Sequence, residues 1–438
     1  METIQIIGLL VGIAFLIFGA YKGIGALPLT LAAGLIVVLT NGMPVWESFA
    51  GNYLTGYVSF LNSWLLVFAS SAVYAKLMED SGSAVAIAYK CIDWFGRKRV
   101  MLVCFVATCI LTYGGVSLFV AIYAMAPIMI TLFKEADIPK KLTMAPFIAG
   151  SCTLTISCLP GSTQLTNVIP SNFLGTGLTA APVLGIICGV IMFVLCYLYM
   201  IWEEKREKKL DHHFEFGPND DPAKYAERQD LPVAGIAFFP MIILLIIIIG
   251  GGRFVSNTSM LIVCGMIIAS LLVLVLNWKK FPNKLTLLNA GFGGVINSFG
   301  GPCAVVAFGS LVKAAPAFQS IINWLMVQDM NPYIKAAMST AIICGVTGSS
   351  SGGLTITFQT IGDYLLNSGA NLESLHRLMA IAAGTLDSLP HAAGYFLMFG
   401  YMGLTHKDSY KYAGVTSVLI PIIVLIFVTF PLVLFLGL

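Results

Sequence analysis

The chain has 438 residues, of which 58% are hydrophobic and only 10% charged, with a formal net charge of +3 and a mean hydropathy of +0.89. A soluble domain keeps about a quarter of its residues charged, so this chain cannot cover a water-facing surface and must take lipid as much of its solvent. The small net charge leaves no footprint for nucleic acid, and 10 Cys without ligand spacing support neither a metal site nor a disulfide framework.

In chain order, the start Met1-Glu2-Thr3-Ile4-Gln5 lacks the basic segment of a cleavable leader, so the first apolar run is expected to be a retained helix. Clear runs of the length that crosses a lipid bilayer lie at Ile6–Phe18, Leu27–Leu39, Pro182–Trp202, Val233–Ile249, Met260–Leu276 and Val415–Leu436. With less regular stretches between them, the expectation is an all-α integral membrane protein of about ten spans. The longest polar stretch, Glu203–Asp230, opens with Glu-Glu-Lys-Arg-Glu-Lys-Lys, and Lys279, Lys280 and Lys284 follow two spans later. The positive-inside rule puts both in the cytoplasm. The organisation expected is an N-terminal membrane half (1–202), a cytoplasmic linker (203–230) and a C-terminal membrane half (231–438).

The halves share an order of features. The first has Tyr74-Ala75-Lys76, a Gly-rich break at Tyr113-Gly114-Gly115-Val116-Ser117, a polar segment from Lys134 to Lys141, and a helix ending in Ser157–Gln164. The second has Leu311-Val312-Lys313, a break at Thr347–Gly353, a polar stretch near Asn367–Arg377, and Thr385-Leu386-Asp387-Ser388-Leu389-Pro390-His391. Paired Gly/Pro-broken segments point to a transporter's central site. Irregular backbone survives at membrane depth only inside protein or against a wet cavity, and a helix N-terminus attracts anions. Pro160 and Pro390 are read as first residues of half-helices, with Gly161, Ser162, Thr163 and Gln164 offering donors into the gap and His391 in the equivalent place. Gly348, Ser349, Ser350, Ser351 and Gly352 form a run too long for one helix-packing contact. Gly114, Gly115, Ser117, Ser157, Thr385 and Ser388 complete the substrate-binding candidates.

Ionisable groups at membrane depth are functional candidates by default. Asp387 and His391 are the proton-coupling candidates, His391 also as a holder of the substrate carboxylate. Lys76 and Lys313 read as snorkelling or capping residues. His376, Arg377, His406, Lys407 and Lys411 read as boundary residues. Ser256-Asn257-Thr258 reads as loop and helix N-cap.

At Lys76–Gly82, Ala136-Asp137-Ile138-Pro139, Leu159-Pro160-Gly161-Ser162 and Gly348-Ser349-Ser350 the chain resembles the gluconate permease family, over about Lys76 to Thr416. The resemblance implies a proton-coupled importer of organic acids at the cell membrane, with a scaffold domain and a transport domain, usually in a homodimer. It implies re-entrant hairpin tips at Gly114–Ser117 and Gly348–Gly353, and broken helices at Ser157–Gln164 and Thr385–His391. Gly-Ser-Thr-Gln and Asp-Ser-Leu-Pro-His depart from the His-, Pro- and Asn-richer family pattern, which points away from gluconate to a smaller monocarboxylate or hydroxy acid. The function expected is secondary active import of a small organic anion with protons, by alternating access of an elevator type, without a cofactor. A sodium-coupled symporter of the same fold is the alternative. A channel or a membrane-embedded enzyme fits less well, since neither a filter nor a nucleophile–base cluster is evident.

Overall fold

A computed structural model describes residues 2–113, 116–162, 164–217, 220, 230–251 and 258–438. Among these residues the chain is all helix, without strands. The first half holds α1 (Glu2–Tyr21), α2 (Ala26–Thr40), α3 (Val45–Asp80), α4 (Ser83–Phe95), α5 (Val100–Tyr113), α6 (Leu118–Glu135), α7 (144–158), α8 (Leu165–Leu174) and α9 (Pro182–Lys209). The second holds α10 (Ala234–Gly251), α11 (Thr258–Leu276), α12 (Lys284–Ala314), α13 (Pro316–Val327), α14 (Pro332–Thr347), α15 (Ser350–Leu366), α16 (Leu372–Leu386), α17 (Ala393–Met402) and α18 (His406–Leu436). The order of long, short and broken helices in the first half recurs in the second. Packing recurs with the halves exchanged: α1 lies on α13 and α10 on α4, while α2 lies on α12 and α11 on α3.

Among the described residues five helices, α1, α3, α6, α9 and α18, are long and apolar enough to cross a membrane. The end of α12 and α13 together form a sixth candidate, bent by 64°. Shorter apolar helices at Ala26–Thr40, Ala234–Ile248 and Met260–Leu276 add to these. The chain is a multi-pass membrane protein.

Close packing of α1 on α2 explains three glycines. A Cβ on Gly8 would lie 1.9 Å from Thr40 Oγ1, one on Gly12 2.7 Å from Val37, and one on Gly19 2.2 Å from Leu29. Without a hydrophobic driving force between helices in lipid, such small-residue contacts supply the van der Waals energy of pairing. Caps set the other boundaries. Asn331 and Asn371 accept the free N–H groups that open α14 and α16, and a Thr405–Asp408 capping box opens α18.

The helix that opens the linker runs further than the apolar pattern implied, since α9 continues to Lys209. Beyond it the linker docks. His213 Nδ1 lies 2.7 Å from Asp137 and the Phe214 N–H donates to the same carboxylate at 3.1 Å. Lys140, 3% exposed, pairs with Asp220. Lys141 pairs with Glu207 at 2.6 Å. Ser256 and Asn257 lie outside the described residues.

Candidate functional site

Segments from two hairpins and two breaks come together around one cavity. The α14–α15 hairpin turns at Gly348, whose φ of +62° suits glycine. Ser349 caps α15, its Oγ accepting from the Gly352 N–H at 3.2 Å. The helix begins at Ser350, so Ser351, Gly352 and Gly353 belong to its first turn. Gly353 is a packing residue there, for a Cβ would stand 2.4 Å from Cys344 Sγ. In the α5–α6 hairpin, α5 ends at Tyr113 and α6 begins at Leu118. Gly114 and Gly115 lie outside the described residues, and Ser117 precedes α6 with its buried Oγ unpartnered.

The second break follows α16, where Gly384 leaves helical geometry at φ −83°, ψ 17°. Asp387 and Ser388 form the turn, both buried, with Ser388 Oγ donating to the carboxylate at 3.0 Å. Pro390 lies within the turn rather than at the head of α17, because the chain bends at Leu389 and resumes helix only at Ala393. Its carbonyl accepts from His406 Nε2 at 2.9 Å. His391, 1% exposed, donates from Nε2 to the Gly345 carbonyl at 3.0 Å, which leaves Nδ1 buried and unpartnered. Its ring packs on Gly348, so His391 latches the hairpin tip.

The first break is built differently. Pro160 again lies in the turn and not at N1 of α8, because the Gly161 N–H is tied to the Leu178 carbonyl at 2.9 Å. Ser162 Oγ accepts from the Gln164 N–H. Gln164 reaches the α5–α6 hairpin, its amide donating to the carbonyls of Thr112 at 2.6 Å and Val116 at 3.1 Å. Two of the donors expected to face the gap, the Gly161 N–H and the Gln164 amide, are thus taken up by backbone carbonyls. Thr163 lies outside the described residues. Ser157 bonds back to the Thr153 carbonyl and sits at the crossing of the broken helices, 3.2 Å from where a Cβ on Gly384 would be. Thr385 bonds back to Ala382 at 2.5 Å.

A cavity of about 90 Å³ joins these parts. Gly348, Ser349, Ser350, Asp387 and Ser388 line one side; Leu118, Phe119, Cys152, Ile156, Tyr395 and Met398 line the other. The N-termini of α6, α15 and α17 all reach its wall. Each carries N–H groups with no intrahelical partner and about half a positive charge. Among the described lining residues Asp387 carries the one carboxyl side chain. Cys152 and Ile156 belong to a π-wound stretch of α7, Ala149–Cys158, a widening that recurs at functional sites.

His376, Arg377 and His406, read from sequence as boundary residues, are 0%, 1% and 5% exposed. Arg377 donates to the carbonyls of Ala180 (3.0 Å) and Leu178 (3.4 Å). His376 bridges Thr176 and Asn167 at 2.6 and 2.8 Å. Together they tie α16 to α8 and to the chain just beyond it. Their placement in an otherwise apolar helix was the available signal; the polar Asn367–Ser374 stretch before them masked it. Among the described residues no group of His, Cys, Asp and Glu has the arrangement to hold a metal ion.

The sequence profile of the GntP family permeases matches residues 4–260. The chain is 28% identical to a transporter of Bacillus subtilis, YxjC, over 93% of this chain and 94% of that one. It is 24% identical to the high-affinity gluconate transporter of Escherichia coli over 98% of both, and 21% identical to a transporter of Haemophilus influenzae over 94% of both. The profile covers chiefly the first half, and the relatives extend the likeness through the second. Helices that cross a membrane, paired hairpins and breaks around one cavity, and a profile match over more than half its length place the chain in the GntP family of permeases.

Proposed function

We propose that this permease is a secondary active transporter that imports a small organic anion together with a proton across the cell membrane. One observation carries the reading: Asp387 shares a cavity of about 90 Å³ with three helix N-termini. The N-termini favour an anion. A second negative charge a few ångströms from an ionised Asp387 is strongly disfavoured away from water. The anion is therefore held together with a proton on Asp387, and that joint occupancy is the coupling. The name of the Escherichia coli relative supports an organic anion as cargo. The cavity volume corresponds to about three waters, and one wall is apolar. Both features favour a short monocarboxylate or hydroxy acid over a longer sugar acid.

The recurring helices are read as inverted repeats on either side of a cytoplasmic linker. The hairpins, breaks, α9 and α18 form the transport unit, which moves elevator-fashion against α1–α3 and α10–α12. Uptake of labelled short hydroxy acids and gluconate by proteoliposomes tests the reading. Accumulation driven by an inward proton gradient is the expected result. Accumulation driven by sodium at uniform pH would assign the sodium-coupled alternative, and no uptake of any carboxylate under either gradient would reject the function.

A further inference from the structure

The substrate cavity has two unlike neighbours along α3. Toward the end of that helix, Ala72, Lys76 and Glu79 line a second cavity of about 560 Å³, together with Tyr123 of α6, Gly291 of α12 and Gly400 of α17. Both α6 and α17 run from the small cavity to the large one: Phe119 and Met398 line the first, Tyr123 and Gly400 the second. Both then end beside the linker. Asp137, just past α6, holds His213, and Gly403, just past α17, lies against Gly217 and Asp220. The end of α3 joins the same face, since the Ser81 carbonyl accepts from Lys280 at 3.1 Å and Lys280 reaches Asp230 at 3.8 Å. The large cavity thus lies between the substrate cavity and the linker face.

In the other direction α3 presents rings instead of space. Trp64 sits about 12 Å along the helix from Ala72, at 1.5 Å per residue. Phe119, on the cavity wall and at the head of α6, packs against Phe60, Trp64 and Phe68 with ring centroids 5.5, 5.4 and 5.8 Å away. Phe299 of α12 closes on Phe68 at 4.5 Å. Such a cluster leaves no polar partner for a carboxylate and excludes water.

Resting on the transport reading above, we infer that this conformation is open toward the linker and sealed on the opposite side. The 560 Å³ cavity is the vestibule through which the organic anion exchanges with the linker compartment. The packing of Phe119 on Phe60, Trp64 and Phe68, backed by Phe299 on Phe60 and Phe68, is the seal of the opposite path. Because Phe119 belongs to the hairpin and the other four rings to α3 and α12, movement of the hairpin unit along α3 would break the seal.

Cysteine labelling tests this without any substrate, so its outcome is independent of the uptake assay. A Cβ on Gly400 meets nothing within 4 Å, so Gly400→Cys is tolerated. The exposed linker position Glu215, as Glu215→Cys, reports the linker side, and the wild type supplies the background of native thiols. Gly400→Cys is expected to react with an impermeant maleimide from the same side as Glu215→Cys and to be lost to labelling from the other. Reaction only from the opposite side, or none in protein whose Glu215→Cys labels, overturns the vestibule. Phe119→Ala added to Gly400→Cys is expected to admit reagent from both sides, with Phe119→Leu as the milder variant if the first fails to fold. Labelling that stays one-sided in the folded variant overturns the seal.

Discussion

At the first break, the polar groups turn inward on the backbone. Gln164 donates to two hairpin carbonyls, the Gly161 N–H is tied to Leu178, Tyr113 caps the Pro160 carbonyl at 3.0 Å, and Arg377 holds the following loop. At the second break, His391 and His406 do the stitching, while Asp387 and Ser388 are left on a cavity wall. Two segments in matching places therefore have different chemistry: one is a brace and the other lines a cavity. Similar sequence signals, a Leu-Pro shortly after a serine, do not distinguish a donor used by the backbone from one offered to a ligand.

The largest effect that would sharpen this contrast is expected at Asp387. Asp387→Asn keeps size and much of the hydrogen bonding but cannot carry a proton. It should abolish proton-driven accumulation in proteoliposomes while leaving exchange of substrate across the membrane. Normal uphill uptake would remove Asp387 from the coupling role. The brace is tested next. Arg377→Leu strips a charged donor from the carbonyls of Leu178 and Ala180, at a cost of about 3 kcal/mol. It should lower the Tm in detergent with KM of the folded fraction unchanged; a raised KM at constant Tm would make the first break part of the site.

Gln164→Leu leaves two hairpin carbonyls short of a donor and should cost about 2 kcal/mol by the same reasoning, again read as Tm. Ser388→Ala, by contrast, should leave Tm nearly fixed and raise KM roughly five-fold, the equivalent of about 1 kcal/mol. Equal Tm losses in both variants would erase the distinction between brace and site.

The smallest effect concerns the exposed clasp of the linker. The hydrogen bond from His213 holds the Asp137 carboxyl below its ordinary 3.8, helped by the Phe214 N–H. The same bond raises His213 above its ordinary 6.5, with Asp211 adding to it. The share due to His213 is present below 6.5 and lost as pH rises through the raised value. The share due to Asp137 is present above 3.8 and lost as pH falls through the lowered one. A spin label at Glu215→Cys should be least mobile between pH 3.8 and 6.5 and loosen as pH rises above that window, and His213→Asn should flatten the profile. A profile unchanged by that substitution would show that Phe214 and the Lys140–Asp220 pair hold the linker alone.

Much of the architecture was legible because lipid imposes a simple rule: backbone must be paired within its own segment, so apolar length reads directly as helix. The runs at Leu27–Leu39, Val233–Ile249 and Met260–Leu276 correspond to α2, α10 and α11. The breaks at Gly348 and Asp387 were readable for the converse reason, since polar, glycine-rich sequence has few other places at that depth. Polar side chains were harder. The pattern 385–391 marks Asp387 and His391 alike, but Asp387 is at the cavity while His391 bonds Gly345.

Composition and periodicity by themselves determined that the chain lives in a membrane, where its helices run and where they must break, because those depend on local hydrogen bonding and solvent. Tertiary structure alone decided which break came to line the cavity, that Arg377 and His376 are buried braces, and that Cys152, Ile156, Phe119 and Met398 complete the cavity. These residues come from α6, α7 and α17. An apolar side chain on a membrane helix carries no mark of whether it faces lipid, a neighbouring helix or a ligand; only the packing of distant segments assigns it.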